Sequence, residues 1–167
     1  MKLFLKVLVL AVLVNMFLRS CGISLTGTNP LVGRPAPDFT LNTLSGRARN
    51  MTEWRGGQPA VIFFWATWCP HCRTQLQELS KQKQDIERKG IKIILVDLEE
   101  SGQVVADYIR KREVAFDVML DNEGIVGRQY NVRGLPAFFF VDHEGRIVAA
   151  GHYLPSGYAD MLLGAGP

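Results

Sequence analysis

The chain has 167 residues, about half of them apolar, with three cysteines and a formal net charge of +3. That length suits one domain behind a leader, and a body of roughly 130 residues can bury most of its surface without staples. Lys2, Lys6 and Arg19 account for the whole net charge and no acidic residue precedes Cys21, so the body is neutral and a nucleic-acid partner is excluded.

Residues 1–21 read as an export leader. Lys2 and Lys6 give a positive start, and Val7 to Leu18 is apolar except for Asn15. As a helix this stretch spans only ~18 Å, short for a relaxed membrane span. Three fates are open. Cys21, in Leu18-Arg19-Ser20-Cys21-Gly22, can be lipidated, with Arg19 departing from the usual pattern; the leader can stay as an anchor; or it can be cleaved near Ser20-Cys21-Gly22. Each puts the body outside the cytoplasm, in the periplasm or on the outer membrane face. Residues 22–35, rich in Gly, Ser, Thr, Asn and Pro, form a linker, and the folded domain covers residues 36–167.

Phe39 to Thr43 alternates apolar and polar residues, and Ser45-Gly46 marks the turn of a short hairpin. Thr52 is a candidate cap for a short turn carrying Glu53 and Trp54. Ala60 to Trp65 is a continuous apolar run, the pattern of a strand buried on both faces. Thr74 to Lys89 lacks Gly and Pro, sets Leu76, Leu79 and Ile86 on one helical face, and ends at Gly90. Ile91 to Asp97 is a second buried strand. Strand, helix and strand make a right-handed βαβ unit. A helix follows from Ser101 to Glu113 with Val104, Val105, Tyr108 and Ile109 inward, then a strand at Val118–Leu120 and a short helix from Gly124 to Tyr130. Pro136–Val141 and Arg146–Ala150 form an antiparallel hairpin around Asp142-His143-Glu144-Gly145, and Ser156 opens a last helix. Parallel units first and an antiparallel hairpin last make an α/β domain of three layers.

Cys69-Pro70-His71-Cys72 stands at the carboxyl end of the first βαβ strand, where parallel sheets place their sites. Residues i and i+3 share a helix face, and the unpaired N–H groups of a helix start favour an anion. Pro70 suits the first helical position. Cys69 is therefore expected to be the exposed attacking thiolate, and Cys72 the partly buried resolver of a mixed disulfide. An imidazolium at His71, ~4 Å from a thiolate at an effective dielectric near 20, would attract it by roughly 4 kcal/mol before losses. That stabilises the dithiol form and makes the disulfide more oxidising. The other roles for the pair are half a zinc site, for which only His71, His143 and His152 remain as ligands, and a purely structural disulfide. No cofactor or metal is required beyond the cysteines.

The segment Trp65-Ala66-Thr67-Trp68-Cys69-Pro70-His71-Cys72 resembles the active-site stretch of the thioredoxin superfamily. The wider frame resembles the membrane-tethered TlpA/ResA-type branch: Ala36-Pro37-Asp38-Phe39-Thr40-Leu41 at the entry, Val96-Asp97-Leu98-Glu99-Glu100-Ser101 after the second strand, Gly134-Leu135-Pro136, and Phe139 to Gly145 in the final hairpin. The likeness covers about residues 34 to 160. It implies a central mixed sheet with helices on both faces, an N-terminal β-hairpin and a helix–strand insertion after the first βαβ unit. It implies that Pro136 is a cis-proline facing the cysteines, that Leu135 pairs its backbone with substrate, that Trp68 shields Cys69, and that Glu100 approaches the pair and tunes its protonation. Two departures stand out. Phe63 occupies the position of the thioredoxin buried aspartate, leaving Glu100 or water to accept the Cys72 proton. Pro70-His71 is the dipeptide of the periplasmic oxidant DsbA, whereas the frame is that of a reductant.

The expected activity is extracytoplasmic thiol–disulfide exchange with protein cysteines, leaning towards reduction, with a DsbA-like oxidase as the alternative. Partners would be protein substrates with cysteine pairs, apocytochrome c among them, and a membrane electron donor or acceptor, the protein acting as a monomer. Two rivals lie further off: a thiol peroxidase, whose Pro-x-x-x-Thr-x-x-Cys setting residues 62–69 lack, and a metal or haem-delivery module using Cys69, His71 and Cys72.

Overall fold

The computed structural model describes residues 29–164. The leader, Cys21 and most of the linker lie outside the described residues. Seven strands form one sheet in the order β2-β1-β5-β4-β3-β6-β7. They are β1 (Thr40–Thr43), β2 (Ala48–Asn50), β3 (Ala60–Trp65), β4 (Lys92–Leu98), β5 (Val118–Asp121), β6 (Ala137–Val141) and β7 (Ile147–Gly151). The helices are α1 (Met51–Arg55), α2 (Pro70–Arg88), α3 (Gly102–Lys111), α4 (Ile125–Gln129) and α5 (Tyr158–Leu163).

The sheet is mixed because β3, β4 and β5 run parallel while β1, β6 and β7 run against their neighbours. The three-layer arrangement, the opening hairpin and the α3–β5 insertion follow the expectation from sequence. Every residue of β3 is buried, as its unbroken apolar run requires of a central strand with both faces covered.

Side chains alternate between two cores. Val61, Phe63 and Trp65 face the layer holding Leu76, Leu79 and Ile86 of α2, Val105 of α3 and Leu162 of α5. Ala60, Ile62 and Phe64 face the layer of Met51, Val126 and Tyr130. Phe63 stacks on Phe138 across the β3–β6 ladder with ring centroids 4.2 Å apart, and Phe64 and Phe139 meet edge to face on the other side. Each fully buried phenylalanine is worth roughly 1.5–3 kcal/mol of transfer free energy, so this aromatic run fixes the register of the central strands.

The caps explain where elements start and stop. Asn50, not Thr52, caps α1: its Oδ1 accepts the Glu53 N–H at 3.0 Å. Thr52 lies inside the helix and donates its hydroxyl to Asp38 Oδ1 at 2.8 Å, tying the entry segment to α1. Ser101 caps α3, and Gly90, at φ +69°, takes the left-handed turn that ends α2. Val104 is turned outward and 47 % exposed, against expectation, while Val105 is fully buried. Successive residues on a helix point about 100° apart, so a stripe that buries Val105 with Tyr108 and Ile109 leaves Val104 at its edge.

Candidate active site

Trp65 ends β3, and Ala66, Thr67 and Trp68 carry the chain to Cys69. Cys69 is itself the N-cap of α2: its Sγ accepts the Cys72 N–H at 3.2 Å. Pro70 sits at the first helical position, where it has no N–H to leave unpaired. Cys69 and Cys72 are joined as a disulfide with Cα atoms 5.2 Å apart.

The pair is more enclosed than the sequence suggested. Cys69 is 4 % exposed and Cys72 fully buried. Both belong to the core layer of Trp65, Ala66 and Leu76, against which Leu135 and Leu154 pack. The expectation of an exposed Cys69 is not met: what opening to solvent exists belongs to Cys69, but both sulfurs lie in the core layer. In the oxidised state the two sulfurs cover each other, which the picture of a free thiolate leaves out.

Around the pair, the Leu135–Pro136 peptide bond is cis. Trp68 is 66 % exposed, an open aromatic beside Cys69 rather than a packed core residue. His71 is exposed on the first turn of α2, where water and salt screen its attraction to a thiolate. Glu100 reaches back across the β4–α3 loop. Its carboxyl accepts the Thr67 N–H at 2.5 Å and the Thr67 hydroxyl at 2.6 Å. It thus holds the segment two residues before Cys69, a positioning contact upstream of the sulfurs.

Two residues escaped sequence reasoning. His152, which the sequence offered only as a spare zinc ligand, has Nδ1 2.7 Å from the carbonyl oxygen of the cis-proline, Pro136. Two residues on, the Leu154 N–H donates to Gln75 Oε1 on α2 at 3.0 Å. The loop after β7 therefore bridges the proline loop and the cysteine helix, and Tyr153 between these anchors is 67 % exposed. The second is Asp97, at the carboxyl end of β4 and fully buried. Burial, with the Glu100 charge adding to it, raises its pKa to about 8. A strand-terminal aspartate carries no sequence signal of burial. Among the described residues no group of three or more His, Cys, Asp or Glu side chains could hold a metal ion.

A cysteine pair capping a helix at the end of a central parallel strand, with a cis-proline on the adjoining strand's entry, defines a redox enzyme of thioredoxin-like fold. The comparisons agree. Residues 32–150 match the AhpC/TSA family, and the chain belongs to that family. Among relatives, the thiol-disulfide oxidoreductase ResA of Bacillus thuringiensis subsp. konkukian is 26% identical over 117 residues, 70% of this chain and 67% of that one. ResA of Bacillus subtilis is 29% identical over 116 residues, 70% of this chain and 64% of that one. A secreted Mycobacterium tuberculosis disulfide oxidoreductase, homologous to E. coli DsbE, superposes with a TM-score of 0.63 at 25% identity, covering 74% of this chain and 96% of that one. The chain spans about two-thirds of the length of the ResA relatives.

Proposed function

We propose that the protein exchanges disulfides with cysteines of client proteins outside the cytoplasm, acting mainly as a reductant. The observation that carries this reading is Cys69, whose Sγ caps α2 while bonded to Cys72. A sulfur in that place is stabilised as an anion by the helix start, and its partner sits one turn away to displace whatever it captures. Cys69 is the sulfur that clients attack or are attacked by, and Cys72 resolves the mixed disulfide.

The cis Leu135–Pro136 bond supports a role for the Leu135 backbone in pairing with an extended client segment. Trp68 and Tyr153, both exposed, would flank that segment. Secretion of a structural neighbour and the leader-like residues 1–21 support an extracytoplasmic site of action, with attachment through the leader or a lipid on Cys21. The ResA likeness supports reduction over the oxidase reading that Pro70-His71 favours. Apocytochrome c and a membrane electron donor are the partners consistent with that direction.

The test is a Cys72→Ser trap in the native host. Covalent complexes held through Cys69 are expected, and they name the clients. A Cys69→Ser form is expected to capture nothing; abundant capture by it would overturn the assignment. Alkylation of the wild type in the same cells reads its resting state, mostly dithiol for a reductant and mostly disulfide for an oxidase. Turnover of peroxide with a thiol donor, at a rate exceeding exchange with protein disulfides, would favour the peroxidase reading instead.

A further inference from the structure

Among the described residues, three buried side-chain polar atoms have no hydrogen-bond partner: Trp65 Nε1 and both carboxyl oxygens of Asp97. They are not scattered. Trp65 and Asp97 are register partners at the carboxyl ends of the parallel strands β3 and β4. Ile93 and Leu95 of β4 point into the core layer that holds Cys69 and Cys72, and Asp97, two residues further, points to the same face. An unpaired buried carboxyl is costly, by several kcal/mol if charged. Folding alone does not call for one, because Leu or Val at this position would extend the apolar run of β4.

The groups around Asp97 can be named element by element. From the β4–α3 loop, the Glu100 carboxyl and the Glu100 backbone N–H both bear on Asp97, the first favouring its neutral form and the second its charged form, and the carboxyl also grips Thr67 beside the cysteines. From α3, Tyr108 lies against Trp65 with ring centroids 5.6 Å apart. Arg73 of α2 and Arg112 act on that tyrosine rather than on Asp97. From α2, Cys72 is fully buried in the same layer. From β5, the residue opposite Asp97 is the apolar Leu120. Asp121 follows it on the other face of the sheet, where its Oδ2 accepts the Gly127 N–H. Among the described residues, Glu100 thus carries the one charge bearing on Asp97, and that charge favours the neutral acid.

We propose that Asp97, on the cysteine face of the sheet, is the proton store of the redox pair: it holds a proton while the disulfide is closed and supplies it to the Cys72 sulfur when the disulfide opens. The inference rests on the exchange reading above. In opening, a client thiolate sulfur bonds to Cys69 Sγ and the Cys69–Cys72 bond breaks. The electron pair of that bond stays on the Cys72 sulfur, which takes up the proton from Asp97 and leaves Asp97 as a carboxylate. In closing, the carboxylate recovers the proton, the Cys72 thiolate displaces the client sulfur from Cys69, and the client leaves as a thiolate. A buried Cys72 thiolate next to a charged carboxylate would otherwise put two anions in one apolar layer. Asp97 does from β4 what Phe63 cannot do from β3.

The experiment is stopped-flow opening of the oxidised full chain by dithiothreitol from about pH 6 to about pH 10, followed by intrinsic tryptophan fluorescence and divided by the reagent's thiolate fraction. Wild type should react fast at low pH and fall through a bend near pH 8, where Asp97 loses its proton. Asp97→Asn should be at least about tenfold slower below the bend, equal to wild type above it, and free of the bend. Glu100→Gln should keep the bend and move it to lower pH, because one anion has been removed from beside Asp97. A bend that survives in Asp97→Asn, or equal slowing at every pH, overturns the proposal. Infrared spectra of the oxidised wild type give a reading that needs no variant. A protonated-carboxyl band should vanish around pH 8 and respond to reduction, and its absence would also overturn the proposal. A wild type that opens normally without a bend removes Asp97 alone, whereas a disulfide inert to thiols at every pH removes the exchange reading as well.

Discussion

Asp97 and Asp121 end neighbouring parallel strands, one fully buried and the other 2 % exposed, yet they live differently. Asp121 is woven into backbone: its Oδ2 takes the Gly127 N–H at 2.8 Å, and its carbonyl takes the N–H groups of Glu99 and Gly124. It fixes the start of α4 against the sheet. Asp97, on the opposite face, has neither oxygen satisfied. Burial alone therefore does not distinguish a structural carboxyl from a reactive one; the partner list does. A buried carboxyl that accepts a backbone N–H serves the fold, and one without such a partner keeps its oxygens available for a proton.

The comparison is sharpened most by measuring stability against pH. A carboxyl whose folded pKa is about 8 keeps a proton that the unfolded chain has released, so its contribution is fully present near pH 4 and fades as pH rises through 8. Asp97→Asn removes this drain. Its unfolding free energy should match wild type to within a constant offset below about pH 4, gain on it up to about pH 8, and level off above. The gain should be on the order of a few kcal/mol, read by urea unfolding at each pH. A gap independent of pH would break the comparison.

Asp121→Ala should act in the opposite sense. It strands the buried Gly127 N–H and should cost about 2 kcal/mol, seen as a fall in Tm, with exchange activity per folded molecule retained. Next in size is Thr67→Val, which removes one of the two hydrogen bonds to Glu100. It should cost about 1 kcal/mol and shift the pH bend of disulfide opening, because Glu100 is held beside Asp97 by one bond instead of two. Smallest in stability is Trp68→Ala. The ring is exposed, so unfolding should move by less than about 0.5 kcal/mol, while KM for a protein client should rise with kcat nearly unchanged.

Much of this molecule was legible in its residues. The apolar run of β3, the glycine stop of α2 and the placement of Cys69 at a helix start each follow from a local rule that tertiary structure has no reason to override. What was illegible depended on contacts far apart in sequence. Asn50 and Thr52 are both competent caps, and Asp38, which claims the Thr52 hydroxyl, lies 14 residues upstream. His152 meets the cis-proline carbonyl only because β6 and β7 pair antiparallel. Asp97 closes the buried strand expected over residues 91–97, but period-two reasoning gives the face a residue points to and not what covers it. Phe63 was recognised as a missing acid; the replacement lay one strand over, where no spacing rule along the chain could find it.

The Cys69 sulfur also belongs to the helix it precedes. Because it caps α2 through the Cys72 N–H, each change in its bonding alters the strength of the first turn. As a thiolate it is a strong acceptor; once bound to a client it is a weak one. The amide of Cys72 should therefore fray when a client is held and tighten when it departs. The captured intermediate is the state in which the resolving residue's own backbone is least restrained, so the helix loosens the second cysteine at the moment it has to move.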